Sequence, residues 1–417
     1  MAGTIQSLFL APSPPLLHFK TSSFSHRLRR FSTTILLPNA LSIAASRSCR
    51  STVVRASQRS DQADDSNESK ASSLVWAKPL LKVASDNFLP LALVVGVALG
   101  LANPTLGCLA DKYYMSKFST FGIFIISGLT LRSEEIGAAV EAWPVAIFGL
   151  CSILLFTPYF SKIIMQIQLQ PQEFITGLAI FTCMPTTLSS GVALTQLAGG
   201  NSALALAMTL ISNLLGILIV PLSISKFIAA GVGVSVPTKE LFRNLVLMLL
   251  VPLILGKVLR ESSKGLAEFV DRNRKIFSKI SAICLGLVPW IQVSRSRSLL
   301  LMVKPTMFIV AIGMGILVHL VLLAFNAIAL KSISALSGGE QSSFSKKGNF
   351  DATLLVASQK TLPVMVAVVE QLGGAFGESG LLVLPCVAAH INQIILDSFL
   401  VNFWLRDDLS TNNVKVA

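Results

Sequence analysis

Apolar blocks of about 20 residues recur along most of this chain, divided by short polar stretches, and that spacing leaves few folds open to it. A bilayer core of about 30 Å is crossed by roughly 20 residues rising 1.5 Å each. A single core in water would not need such regular blocks. Ten candidate spans can be read, at roughly 88–107, 114–131, 142–161, 173–198, 201–225, 241–259, 276–294, 305–330, 350–371 and 381–405. Composition agrees: 53% of the residues are hydrophobic and only 13% charged, against about a quarter charged in a soluble domain. The expected fold is an all-α polytopic membrane protein.

The first 60 residues have another character. They hold no Asp or Glu, eight Lys and Arg (Arg27, Arg29 and Arg30 among them), and clustered hydroxyls at Ser22, Ser23, Ser25, Thr33 and Thr34. An acid-poor, Ser-rich, basic start is the composition of an organellar transit peptide. Met1-Ala2 and Val54-Arg55-Ala56 resemble a chloroplast leader and its cleavage site, and a mitochondrial leader would carry a clearer Arg-rich amphipathic helix. The expected organisation is a transit peptide at 1–60, a hydrophilic spacer at 61–84, five-helix halves at 85–230 and 231–405, and a tail at 406–417. Without the leader's eight positive charges the net charge falls from +13 to +5, ordinary for loops obeying the positive-inside rule and no sign of nucleic acid. The six Cys form no CxxC pair, so neither a disulfide framework nor a metal site is indicated.

With ten spans both mature termini share one face. That face also holds the 260–279 loop (Arg260, Lys264, Arg272, Arg274, Lys275, Lys279) and the 331–349 loop (Lys331, Lys346, Lys347). The opposite loops are poorer in Lys and Arg, so the terminal face is expected to be the stroma, in a chloroplast envelope membrane and most naturally the inner one.

Two spans break the apolar pattern. Span four contains Cys183-Met184-Pro185-Thr186-Thr187-Leu188-Ser189-Ser190-Gly191, and span nine contains Ala357-Ser358-Gln359-Lys360-Thr361-Leu362-Pro363. Proline removes a backbone donor and clashes with the preceding turn. Freed backbone groups at membrane depth are tolerated only inside protein or along a watery cavity. Each broken span is the fourth of its half, and paired interruptions at matching positions point to an inverted-repeat transporter with its site at the midplane. The plainer reading is that each proline only kinks a packed helix.

The candidate substrate- or ion-binding residues follow from those breaks: Thr186, Thr187, Ser189, Ser190, Gln359, Lys360 and Thr361. Lys360 is a charge at membrane depth, costly unless paired or wet. It either binds an anionic substrate group, titrates as a proton carrier, or snorkels to an interface. In span ten His390, Gln393 and Asp397 share one helical face, lining a cavity or gluing helices. In span five Thr209, Ser212 and Asn213 share a face of hard oxygen donors suited to Na⁺, or bond neighbouring helices. No Walker, GxSxG or HExxH motif is present, so an enzyme is not expected. No cofactor is expected beyond a coupling ion, Na⁺ or H⁺.

Ser127-Gly128-Leu129-Thr130-Leu131 followed by Ser133-Glu134-Glu135, the stretch from Cys183-Met184-Pro185 to Gly199-Gly200-Asn201, and Gln359-Lys360-Thr361-Leu362 together resemble the bile acid:sodium symporter family. The likeness covers about 85–405 and is nearest the branch holding the fourth plant member and the seventh vertebrate one. The resemblance implies ten helices in two inverted five-helix repeats, a core domain in which helices four and nine cross at unwound centres, and a panel of helices one, two, six and seven. It implies organic-anion substrates moved with Na⁺ by alternating access. Its sodium ligands fall on Ser190-Gly191, Thr209 and Gln359, but also on Ala205, on Leu355 where the family has Glu, and on Lys360 where it has Asn. A fixed ammonium can substitute for a bound cation. The expected function is a sodium/metabolite cotransporter of the chloroplast envelope, coupled to Na⁺, to H⁺ or to nothing. The alternative is a membrane regulator of ion homeostasis that kept the fold without transport.

Overall fold

A computed structural model describes residues 88–132 and 142–416. The leader, the spacer and the Ser133-Glu134-Glu135 stretch lie outside those residues. The described residues form helices and no strand. In order, α1 is Phe88–Ala102, α2 Pro104–Lys112 and α3 Met115–Thr130. α4 is Trp143–Ile164, α5 Gln172–Thr182, α6 Ser190–Leu197, α7 Ser202–Val232 and α8 Thr238–Ser262. α9 is Lys264–Arg272, α10 Arg274–Arg295, α11 Arg297–Met302 and α12 Pro305–Leu336. α13 (Lys347–Ser358), α14 (Leu362–Gln371) and α15 (Ser379–Val416) complete the chain.

Among the described residues, seven helices are long and apolar enough to cross a membrane, or eight if α1 and α2, bent by 103°, count as one span. The other two expected spans fall short in length: α3 has 16 residues, and α5 and α6, of 11 and 8, are separated by the 183–189 break. Span one ends earlier than expected. Asn103 adopts extended backbone and its side chain caps Thr105 N at 3.1 Å, while Pro104 opens α2 in the first-turn position that suits it.

Two packed groups emerge. In one, α10 lies against α1 and α3, and α3 against α8. Close approach there rests on glycine: a Cβ on Gly128 would strike the Leu253 carbonyl, and one on Gly256 the Ile125 carbonyl. The other group holds α4 to α7, α12, α13 and α15, and α14 runs between the two. Burial separates lining from lipid-facing helices. The best window of 347–371, the α13–α14 pair, is 100% buried, whereas that of α12 is 22% buried. The interrupted span is thus the most enclosed, where freed backbone can find protein partners.

Proline also shapes α4. Its turn over Ser152–Phe156 is widened, with Thr157 N–H bonding Ser152 O five residues back. The next donor in that register would belong to Pro158, which has none. The Ile153 carbonyl is left open to other groups.

Candidate functional site

The two breaks cross and bond each other. Thr361 N–H donates to Pro185 O at 3.0 Å, and Thr186 Oγ1 donates to Val356 O at 2.5 Å. Every residue from 181 to 187 and from 351 to 369 is buried. α13 stops at Ser358 and α14 starts at Leu362 with Pro363 in its first turn, so the proline opens a helix instead of kinking one.

Lys360 sits at the crossing, 1% exposed. Its Nζ donates to Thr157 Oγ1 at 2.6 Å, Met184 O at 2.9 Å and Ile153 O at 3.1 Å. Ile153 O is the carbonyl that Pro158 leaves free, and Met184 O lies just past the C-terminal end of α5, where the helix dipole favours a cation. The Thr157 hydroxyl gives its own proton to Ile153 O at 2.9 Å, so it can only accept from Lys360. Three acceptors around Nζ match the three donors of an ammonium. Snorkelling is overturned: the side chain ends among protein oxygens, because three of them are there to receive it.

Span ten supplies the rest. Gln393 donates from Nε2 to Lys360 O at 2.7 Å and accepts Lys360 N–H at 3.0 Å, and His390 Nδ1 lies 3.2 Å from the same carbonyl. Gln359 Nε2 donates to Asp397 Oδ2 at 2.6 Å, while its Oε1 accepts from Thr187 Oγ1 at 2.7 Å and Ser190 Oγ at 3.0 Å. Asp397 Oδ1 in turn faces His319 Nε2 at 2.8 Å. One chain of contacts thus runs from His319 of α12 through Asp397 and Gln359 to the start of α6.

On α7, Asn213 donates to Thr186 O at 3.0 Å and to Thr209 O at 2.8 Å, and Ser212 Oγ to Thr209 O at 3.1 Å. Thr209 Oγ1 and Asn213 Oδ1 are buried with no partner. These two oxygens fit a hard cation. Ser189 does not join the cluster; it is exposed at the entry to α6, where the chain turns out of the break. Leu355 lies in apolar packing with Leu194 and Val401. Among the described residues no group of three His, Cys, Asp or Glu could hold a metal. Beside Lys360, His319, Ser358 and Gln393 lies a cavity of about 10 Å³, room for one water and not for an organic anion.

Of the expected residues, Thr186, Thr187, Ser190, Gln359, Lys360, Thr361, His390 and Gln393 converge at the crossing, and Asn213 bonds it. Asp397 enters through Gln359, which a stripe along one helix does not disclose. His319 and Thr157 were not singled out; the only signal was a His, and a Thr before Pro, inside apolar spans.

Residues 86–406 match the SBF-like CPA transporter family. The chain is 68% identical over 355 residues to a protein of Arabidopsis thaliana named probable sodium/metabolite cotransporter BASS4, chloroplastic, covering 85% of this chain and 81% of that one. The protein of the same name from Oryza sativa subsp. indica is 66% identical over 336 residues, 81% and 79% of the two chains. Sodium/bile acid cotransporter 7 of Xenopus tropicalis is 26% identical over 319 residues, 74% and 90% of the two. A match spanning nearly all the helices, both breaks and the Lys360 crossing shows that the chain belongs to the SBF-like CPA transporter family.

Proposed function

We propose that the protein is a secondary transporter of the chloroplast envelope that moves a small organic anion by alternating access. Ten spans in two inverted halves suit this reading if α3 and the α5–α6 pair are counted as spans, each interrupted helix then being fourth in its half. The plant relatives' names and the basic, acid-free leader support the compartment. The Lys and Arg excess on the terminal face favours the inner membrane with both termini in the stroma.

The observation that carries this reading is the Lys360 Nζ held by Ile153 O, Met184 O and Thr157 at the crossing. It stands where the family pattern has a sodium ligand, and it supplies a positive charge without a bound ion. Opening of the two groups would expose it to an anionic cargo, for which the present 10 Å³ cavity has no room. Sodium coupling is the second reading, favoured by the bare Thr209 and Asn213 oxygens.

Uptake by proteoliposomes of a panel of organic anions, under imposed Na⁺ or H⁺ gradients, tests both. Uptake without Na⁺ that Lys360→Ala abolishes supports the ammonium reading. Uptake that follows Na⁺ and fails in Thr209→Val supports the second. Folded protein that moves none of the panel would favour a non-transporting regulator.

A further inference from the structure

A second polar cluster joins the two packed groups, away from the crossing. Glu370, in the last turn of α14, accepts at Oε1 from Ser116 Oγ of α3 and from Gln292 Nε2 of α10, the latter at 3.1 Å. Its Oε2 is buried without a partner, and so is the side-chain oxygen of Gln292. The two bare acceptors belong to the two groups that one hydrogen bond already joins. An unmatched buried acceptor is destabilising, and an ionised carboxylate without a cation is more so. A proton on Oε2 would answer both deficits, because an acid O–H is a donor for an amide oxygen and the pair would then close a two-bond acid–amide ring. The charges that bear on Glu370 are those of Lys117 on α3 and Asp111 on α2. Asp111 is paired with Arg295 at the end of α10 at 3.5 Å. Among the described residues, α5, α8 and α15 bring no charge to bear on it.

We propose that Glu370 binds a proton in this conformation, and that the Glu370–Gln292–Ser116 cluster is a proton-dependent latch closing α14 onto α3 and α10 at the face where α15 begins. Parting of the two groups brings the carboxyl to water, where it ionises. The proton is held when closed and released when open, so rising pH at that face favours opening. One proton per latch shifts the equilibrium about tenfold per pH unit in the range where the open carboxyl is ionised and the closed one is not.

The test needs no substrate and no flux, so it stands or falls apart from the transport proposal. The full chain in lipid nanodiscs is examined by infrared difference spectroscopy and by hydrogen exchange of peptides covering 115–120 and 362–371. Wild type is expected to show a protonated-carboxyl band at neutral pH that Glu370→Gln removes. Exchange in both peptides should rise with pH in wild type relative to Glu370→Gln, whose neutral amide keeps the latch shut. Gln292→Leu, which breaks the ring and keeps the bulk, should exchange faster than wild type at every pH. The proposal is overturned if the band is unchanged in Glu370→Gln, if both proteins share one pH response, or if closure follows Na⁺ at fixed pH.

Discussion

Gln359 Nε2 donates to Asp397 Oδ2 at 2.6 Å, fixing a carboxylate from α15 to the broken part of the α13–α14 pair. The resemblance to the symporter family implies a carboxylate at position 355 on span nine itself. Here that position is a fully buried Leu, and the acid reaches the crossing from the neighbouring helix.

Asp397→Asn should therefore loosen the crossing without changing its bulk. An amide can satisfy Gln359 or His319 but presents only one oxygen. A loss of about 1–3 kcal/mol is expected, the cost of a buried polar group left unmatched, with uptake down about tenfold or more. Thermal unfolding in detergent and proteoliposome uptake read the two effects. Equal Tm and equal flux would remove Asp397 from the site.

Pro158→Ala restores a backbone N–H aimed at Ile153 O, one of the three acceptors of Lys360. Competition for that carbonyl should weaken the hold on the ammonium by about 0.5–1.5 kcal/mol, one ordinary hydrogen bond. Uptake should fall while overall stability holds, since removing a proline from a helix interior is itself favourable. Unchanged flux would show that the widened turn has no bearing on Lys360.

Outside the spans, Asp271 of α9 binds Arg260 at 2.9 Å and Arg132 at 3.1 Å. The Arg260 hydrogen bond, with help from Arg132, holds its carboxyl below the usual carboxylate range. A depressed value means that the contribution is present above the unfolded carboxylate pKa and fades as pH falls through the folded one. Asp271→Asn should cost up to about 1 kcal/mol near neutrality, as expected of a partly exposed pair. Melting curves should converge with wild type in strong acid, and a gap that persists there would refute the assignment.

Gly256→Leu should part α3 from α8, because even a Cβ meets the Ile125 carbonyl. Overpacking of this kind costs about 1–3 kcal/mol. Gly231→Leu, at a glycine with open space around it, should be silent by comparison. Paired melting curves of the two variants provide the check.

Much of this was legible in one dimension. Pro185 and Pro363 amid hydroxyls mark the breaks, and Lys360 stands out as a charge in an apolar span. Two differences have local causes. Ser189 turns outward at the start of α6 while Thr186 and Thr187 are buried, and Asn103-Pro104 ends a helix that hydropathy alone runs on to residue 107. What the sequence did not disclose is which helix faces which. His319, Thr157, Asp397 and Glu370 take their meaning from partners between 38 and 254 positions away. Helical periodicity gives the face a residue occupies and says nothing of what lies opposite.

A tethered ammonium also sets the electrical character of any cycle built on it. A dissociable ion enters on one side and leaves on the other, and its charge is added to that of the cargo. In such a cycle Lys360 would travel out and back with the protein, its displacement would cancel over one turnover, and the net current would be that of the cargo alone. For a monovalent anion each 100 mV of membrane potential would then weigh on accumulation by about 2.3 kcal/mol. Such a carrier would be electrogenic, with its gradient set by voltage instead of by sodium.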